Sequence, residues 1–123
     1  MKKKFFSLNT WGLRFIYAFR GLFFFFRSEQ NAWIHFLATI AVVILSMITG
    51  VSKTEAIALI VVTGLVWMSE ILNTAIEKLA DMVSASFHPQ IKIIKDLAAA
   101  AVLVAAFTAV ATGLLIFIPK FYR

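Results

Sequence analysis

Residues 97–118 read LAAAAVLVAAFTAVATGLLIFI, an apolar run without a charged side chain. A helix needs about 20 apolar residues to cross the hydrocarbon core of a bilayer, and this run is long enough. Two earlier segments, residues 32–49 and 56–76, meet the same standard. The sequence therefore predicts an all-α integral membrane protein with three transmembrane helices.

The composition of the whole chain is also that of a membrane protein. Of its 123 residues, 62% are hydrophobic and 15% are charged, and the mean hydropathy is +0.92; an ordinary soluble domain is about 45–50% apolar and about 25% charged. This length predicts a single domain over residues 1–123. The chain has no cysteine, which excludes disulfides, thiolate metal sites and a catalytic thiol. Its glycines form no G-x-x-x-x-G-K or G-x-G-x-x-G pattern, so the sequence contains neither a P-loop nor a protein-kinase glycine loop.

The basic residues predict how the chain lies across the membrane. The net charge is +6, and because this excess accompanies long apolar runs, we interpret the anionic partner as a membrane surface and not as nucleic acid. Nine of the twelve Lys and Arg residues precede the first span or lie in the 78–96 loop. By the positive-inside rule, the N-terminus and this loop are expected to be cytoplasmic and the C-terminus to lie outside.

The segment at about 5–28 is expected to form an amphipathic helix on the membrane surface. Arg14, Arg20 and Arg27 fall within about half of the helix circumference and leave a broad aromatic face for the membrane interface. Such a helix either only anchors the chain at the membrane or, in addition, borders an active site. The arginines interrupt the apolar stretch and no small-residue cleavage site follows, so we expect no secretion signal and a location in the bacterial inner or plasma membrane.

Carboxylates beside the spans carry the main functional signal. Five of the six acidic residues lie in or next to apolar helices on the predicted cytoplasmic side, where a buried charge is costly. Residues three, four or seven apart share one face of a helix. By this spacing, one face of the second predicted helix carries five polar residues: Glu70, Asn73, Thr74, Glu77 and Asp81. Glu29, before the first span, and Lys95-Asp96, before the third, are expected at the membrane level of Glu77.

These groups suit phosphoryl transfer. Neighbouring carboxylates repel one another in a poorly hydrated place unless they bind a cation, and Mg²⁺ takes one or two carboxylates together with water and phosphate oxygens. We predict Glu29 and Glu77 as ligands of a magnesium ion that also binds the phosphates of ATP, with Lys95 adding positive charge. Glu70, the deepest acid, is predicted to be the base that deprotonates the hydroxyl of a membrane lipid, and Asn73 to support it or the metal.

Alternatives remain open for two other residues, and a third has a single interpretation. Asp81 either supports the site or pairs with Lys78 or caps a helix. His88 either contacts a nucleotide or is a turn residue before Pro89. His35, within the first span, is interpreted as a hydrogen-bonded structural histidine. Because three helices have a thin interior, we expect a homo-oligomer to bury the polar stripe.

The motif EILNTAIE at 70–77, followed by Asp81, His88-Pro89 and KDLAAAAV at 95–102, resembles the prokaryotic diacylglycerol kinase family over residues 17–119. The resemblance implies a homotrimer of three-span subunits, each with an N-terminal surface helix, whose active sites lie at subunit boundaries. It implies Glu70 as the catalytic base and Glu29 and Glu77 as metal ligands that contact ATP. It also implies nucleotide contacts from Tyr17, the 86–88 turn (Ser86 to His88) and Lys95-Asp96.

Within the family, the chain is most similar to the branch that includes undecaprenol kinases. Ala99 stands where diacylglycerol-specific members tend to carry a serine near the lipid. The leading expectation is therefore phosphorylation of undecaprenol, and the second is the same reaction on diacylglycerol. A proton-coupled transporter with Glu70 as its titrating carboxylate is an alternative of another class, and a membrane scaffold would leave five acids unexplained.

Overall fold

A computed structural model of the chain describes residues 8–122, which form four α-helices. Their bounds are α1 Leu8–Ser28, α2 Gln30–Thr49, α3 Lys53–Val83 and α4 Pro89–Phe121. The described residues do not include the three lysines at 2–4, the start of the predicted surface helix (residues 5–7) or Arg123. The chain divides into two compact units, Met1–Ile34 and His35–Arg123.

Three of these helices are long and apolar enough to cross a membrane. They are α2, α3 and α4, with 20, 31 and 33 residues. The prediction of an all-α membrane protein with three long apolar helices is therefore confirmed. Because about 20 residues cross the hydrocarbon core, α3 and α4 are longer than a span requires.

The polar segment predicted as a 78–96 loop is mostly helical. The backbone leaves helical geometry between α3 and α4 at residues 84–88 alone, since α3 continues to Val83 and α4 begins at Pro89. Lysine is a good helix former, and an ion pair between residues one turn apart stabilises the start of α4, where Lys92 Nζ lies 2.7 Å from Asp96 Oδ2. Both helices thus extend beyond the predicted spans.

A tight turn joins α2 to α3. Gly50 has φ of +69°, and its N–H donates to the carbonyl of Ser46 at 3.0 Å, which ends α2 in the left-handed conformation that favours glycine. Ser52 then caps α3 and forms a reciprocal capping box with Glu55. Residues 35 and 39 of α2 contact residues 70 and 67 of α3, in opposite order along the chain, so α2 and α3 run antiparallel.

Gly50→Ala is expected to destabilise the protein. A Cβ at position 50 would meet no atom within 4 Å, so the cost comes from the backbone conformation and amounts to about 1–2 kcal/mol. The measurement is the free energy of unfolding in detergent, obtained by titration with a denaturing surfactant. Gly21→Ala is the control, because Gly21 is helical and equally open, and alanine is the better helix former there. Equal stability of the two variants would contradict the prediction.

The helices α3 and α4 pack against each other in antiparallel fashion. At one end His88 caps α4, since its Nδ1 accepts from the N–H of Gln90 at 3.1 Å, and Pro89 occupies the first turn. At the other end Lys120 Nζ lies 3.1 Å from Glu55 Oε2. The contact fixes the start of α3 to the end of α4. The hairpin therefore holds the polar face of α3 in a defined orientation.

The first unit contains α1 and the start of α2. Guanidinium groups lie over aromatic rings on α1, with Arg14 5.3 Å from the ring centroid of Trp11 and Arg20 5.6 Å from that of Tyr17. After the break at Glu29, the indole of Trp33 donates to the carbonyl of Phe26 at 3.1 Å. Cationic and aromatic side chains thus alternate over a largely exposed helix, a pattern that suits a membrane interface.

Candidate active site

The polar face of α3 contains a buried carboxylate. The residue Glu70 is 8% exposed and Thr74, one turn further on, is 7% exposed. Asn73 and Glu77 are half-buried on the same face, whereas Asp81 is exposed. The polar groups thus run from the protein interior towards the end of α3, in the order that the sequence predicts.

Glu70 has a hydrogen-bond partner on α2. His35 Nε2 lies 2.7 Å from Glu70 Oε1, and both side chains are largely shielded within the chain. In the tautomer that carries its proton on Nε2, the imidazole donates this hydrogen bond to the carboxylate. The interpretation of His35 as a hydrogen-bonded histidine is confirmed. The sequence alone did not indicate that the partner of His35 is Glu70, the predicted catalytic base.

A second polar contact fixes α2 to α3 one turn away from this pair. The Thr39 hydroxyl donates to the carbonyl of His35 at 2.7 Å and accepts from the indole Nε1–H of Trp67 at 2.9 Å. The rings of His35 and Trp67 lie with their centroids 6.5 Å apart. The level at which His35 meets Glu70 is therefore set by contacts that do not involve the carboxylate.

An apolar groove between α2 and α3 begins at the same level. Its volume is about 550 Å³, and it runs from Thr39 to the turn at Gly50. Its walls include Val43, Met47, Leu59 and Ile60. A groove of this composition accommodates a hydrocarbon chain and not a charged group.

Asn73 and Glu77 form a second polar cluster on α3. Asn73 Nδ2 donates to Glu77 Oε1 at 3.3 Å. The amide oxygen of Asn73 is buried and has no hydrogen-bond partner within the described part of the chain. A buried acceptor without a partner is costly, so this oxygen is suited to a ligand.

The oxygen atoms of this cluster fit a magnesium ion. Mg²⁺ prefers oxygen ligands, takes one or two protein carboxylates and keeps water or phosphate oxygens in its other positions. Glu77 supplies a carboxylate and Asn73 an amide oxygen. Over residues 8–122, no three His, Asp or Glu side chains form a metal-binding group by themselves. The donor set therefore suits a metal that is also held by a substrate phosphate.

An ion pair between Asp81 and Lys95 connects the end of α3 to the start of α4. Lys95 Nζ lies 2.6 Å from Asp81 Oδ1. Pairing is one of the predicted roles of Asp81; its partner in the structure is Lys95 on α4, whereas the partner predicted from the sequence is Lys78. The side chain of Lys95 is 38% exposed, so its ammonium group retains contact with solvent. The prediction that Lys95 and Asp96 contact phosphates remains a prediction.

The turn between α3 and α4 holds the other residues predicted to contact a nucleotide. Ser84 Oγ donates to the carbonyl of Ser86 at 3.2 Å, and Ser86 itself is exposed. His88 uses Nδ1 to cap α4, which agrees with its predicted role as a turn residue. A nucleotide contact by either side chain remains a prediction.

Three predicted site residues lie elsewhere. In the first unit, Tyr17 is 56% exposed, and Glu29 is half-buried at the break between α1 and α2. In α4, Ala99 is exposed and follows the buried Ala98. The structure thus assigns each of these residues a position, and their roles towards ATP, metal and lipid remain predictions.

Comparison with known proteins decides the family. The family described as prokaryotic diacylglycerol kinase matches residues 16–117, well over half of the chain. The chain belongs to this family. The resemblance that the 70–81 motif carries is therefore confirmed, and the protein is a membrane-bound lipid kinase.

Two curated relatives of this family of kinases align with most of the chain. The undecaprenol kinase of Bacillus subtilis (strain 168) is 38% identical over 114 residues, which cover 93% of each protein. The diacylglycerol kinase of Synechocystis sp. (strain ATCC 27184 / PCC 6803 / Kazusa) is 36% identical over 106 residues, which cover 85% of this chain and 61% of that protein. Both names describe kinases with alcohol acceptors, and the chain is accordingly an enzyme of this type.

Proposed function

We propose that the chain is an ATP- and Mg²⁺-dependent kinase that transfers the γ-phosphoryl group of ATP to the hydroxyl of undecaprenol. The observation that carries this proposal is the burial of Glu70 in a helix long and apolar enough to cross a membrane. A carboxylate in such a place can deprotonate an alcohol whose hydrocarbon part lies in the bilayer.

In the proposed reaction Glu70 is the general base. One oxygen, Oε1, accepts the hydrogen bond of His35. The other oxygen, Oε2, takes the proton of the lipid hydroxyl as the alcohol oxygen forms a bond to the γ-phosphorus. The bond between this phosphorus and the β,γ-bridging oxygen breaks, and ADP leaves with that oxygen.

The nucleotide and the metal are proposed to lie next to the base. Glu77, with Asn73 beside it, and Glu29 would hold Mg²⁺, which would neutralise charge on the phosphate oxygens when bound. Lys95, held by Asp81, would add positive charge. The further contacts proposed for ATP are Tyr17, Ser86, His88 and Asp96.

Two observations favour undecaprenol as the acceptor. The relative named undecaprenol kinase matches over 93% of its own length, against 61% for the relative named diacylglycerol kinase. The groove between α2 and α3 is apolar along its walls, which suits a prenyl chain as the tail of the acceptor. The second relative makes diacylglycerol the other candidate, with Ala99 as the proposed contact to the lipid.

A homotrimer with shared active sites is proposed as the functional form. Many large apolar side chains are exposed on α2, α3 and α4, so lipid and neighbouring subunits have surfaces to cover. The protein is proposed to lie in the bacterial inner or plasma membrane with the N-terminus and the residues between α3 and α4 in the cytoplasm. This orientation places the ATP contacts on the side where ATP is present.

A parallel assay on two lipids tests the proposed function. Purified protein in mixed micelles with Mg²⁺ and γ-labelled ATP is expected to label undecaprenol at least about tenfold faster than diacylglycerol. Label that enters diacylglycerol preferentially would overturn the choice of acceptor but not the kinase chemistry. If neither lipid is labelled and proteoliposomes instead take up protons, the transporter alternative replaces the kinase.

A further inference from the structure

We propose that His35 is a positioning residue for the catalytic base, an assignment that rests on the proposed function. The structure places His35 Nε2 at 2.7 Å from Glu70 Oε1. By donating to that oxygen, the imidazole fixes the plane of the carboxylate and directs Oε2 towards the lipid hydroxyl. His35 contacts the carboxylate of Glu70, so its proposed effect on the reaction passes through Glu70.

The contact has the properties that positioning requires. A hydrogen bond to an ionised group is stronger and more directional than one between neutral groups. Glu70 is 8% exposed, so water competes little for the same oxygen. A misplacement of a catalytic group by about 1 Å can cost about 10²-fold in rate. A histidine in an otherwise apolar stretch of α2 is costly at this depth, and the orientation of Glu70 accounts for it.

A separate contact links α2 to α3, so a positioning role of His35 can be distinguished from a structural one. The Trp67 indole and the Thr39 hydroxyl join α3 to α2 without touching Glu70. Removal of the His35 imidazole therefore leaves this link between the helices in place. The two contributions can be tested with different variants of the same cluster.

The kinetic test compares His35→Leu, His35→Gln and Trp67→Phe in the full chain. His35→Leu is expected to lower kcat about 30- to 100-fold with KM for ATP and lipid within about threefold, because the base is misdirected while substrates still bind. Glutamine carries an N–H donor at a similar reach, so His35→Gln is expected to recover kcat to within about fivefold of the wild type. Trp67→Phe, the matched control, removes the indole donor to Thr39 but keeps an aromatic ring, and is expected to stay within about threefold.

Three kinetic results would overturn the positioning role. The first is a wild-type kcat in His35→Leu. The second is a His35→Gln variant as slow as His35→Leu, since a donor would then not be the property that matters. The third is an equal loss in Trp67→Phe, which would indicate a merely structural cluster.

A spectroscopic test examines the contact without any activity. The chain has two histidines, His35 and His88, so nitrogen-15 NMR of labelled histidine gives few signals, and His88→Gln assigns them. Glu70→Leu, which removes both acceptor oxygens at a similar side-chain size, is expected to shift the ring resonances of His35 and to leave those of His88 in place. Unshifted His35 resonances would overturn the proposal, whatever the lipid assay gives. If the resonances shift but the wild type phosphorylates neither lipid, the proposed function fails and the positioning role fails with it.

Discussion

Glu70→Gln is expected to lower lipid phosphorylation by about 10²- to 10⁴-fold, the contribution typical of a general base. Glutamine has nearly the same volume as glutamate, and its carbonyl oxygen can still accept the hydrogen bond from His35. The amide cannot take a proton from the lipid hydroxyl. The chemical step is therefore lost while the packing of α2 against α3 is retained.

ATP binding distinguishes this effect from general damage to the protein. Glu70 is buried on α3, one turn before Asn73 and two turns before Glu77. Its replacement by glutamine therefore leaves the proposed metal ligands unaltered. The ATP affinity of Glu70→Gln, measured by equilibrium dialysis in detergent with Mg²⁺, is expected to stay within about threefold of the wild type. Glu55→Gln is the control, since Glu55 lies at the opposite end of α3 and pairs with Lys120. A Glu70→Gln turnover above about a tenth of the wild-type value would remove Glu70 from the role of base.

The three long apolar helices could be predicted because the bilayer imposes a simple condition on sequence. A span must satisfy its backbone internally and must present apolar side chains, which leaves an unmistakable run such as residues 97–118. The ends of the helices do not follow from this condition. Once a helix leaves the hydrocarbon, charged residues such as Lys78 and Lys92 continue it in water, so α3 and α4 extend into the segment that composition marks as a loop.

The polar face of α3 was predictable because it depends on spacing within one helix. Glu70, Thr74 and Glu77 share a face by geometry alone. The contact between His35 and Glu70 depends instead on the register of two helices. A signal for it exists, since α2 and α3 are antiparallel and joined by a short turn, and residues at similar distances from that turn lie at similar levels. His35 and Thr39 before Gly50 then correspond to Glu70 and Trp67 after it.

Asp81 shows why pairing of charges is harder to predict than their presence. Spacing along α3 suggests Lys78 as a partner for Asp81, because both belong to the same helix. The structure pairs Asp81 with Lys95 at 2.6 Å, across the turn between α3 and α4. The short turn brings the end of one helix next to the start of the other, and the length of that turn is the feature that composition left undetermined.

Glu77→Gln is expected to raise the Mg²⁺ requirement of the reaction at least about tenfold, measured as the concentration of free Mg²⁺ that gives half-maximal rate at fixed ATP. Replacement of a carboxylate by an amide keeps an oxygen but removes the negative charge that attracts the metal. Asn73 contacts Glu77 at 3.3 Å and has a buried amide oxygen without a partner in residues 8–122. Asn73→Ala is accordingly expected to shift the Mg²⁺ requirement in the same direction by a smaller factor.

The matched control for this shift is again Glu55→Gln, which removes one negative charge from the same helix far from the proposed site. Its Mg²⁺ requirement is expected to equal that of the wild type. Saturating Mg²⁺ is expected to restore much of the rate of Glu77→Gln, whereas Glu70→Gln is expected to stay inactive at any Mg²⁺ concentration, because a lost base cannot be replaced by more metal. An unchanged Mg²⁺ requirement in Glu77→Gln would show that Glu77 is not a ligand, and the metal would then have to be held by other oxygen atoms.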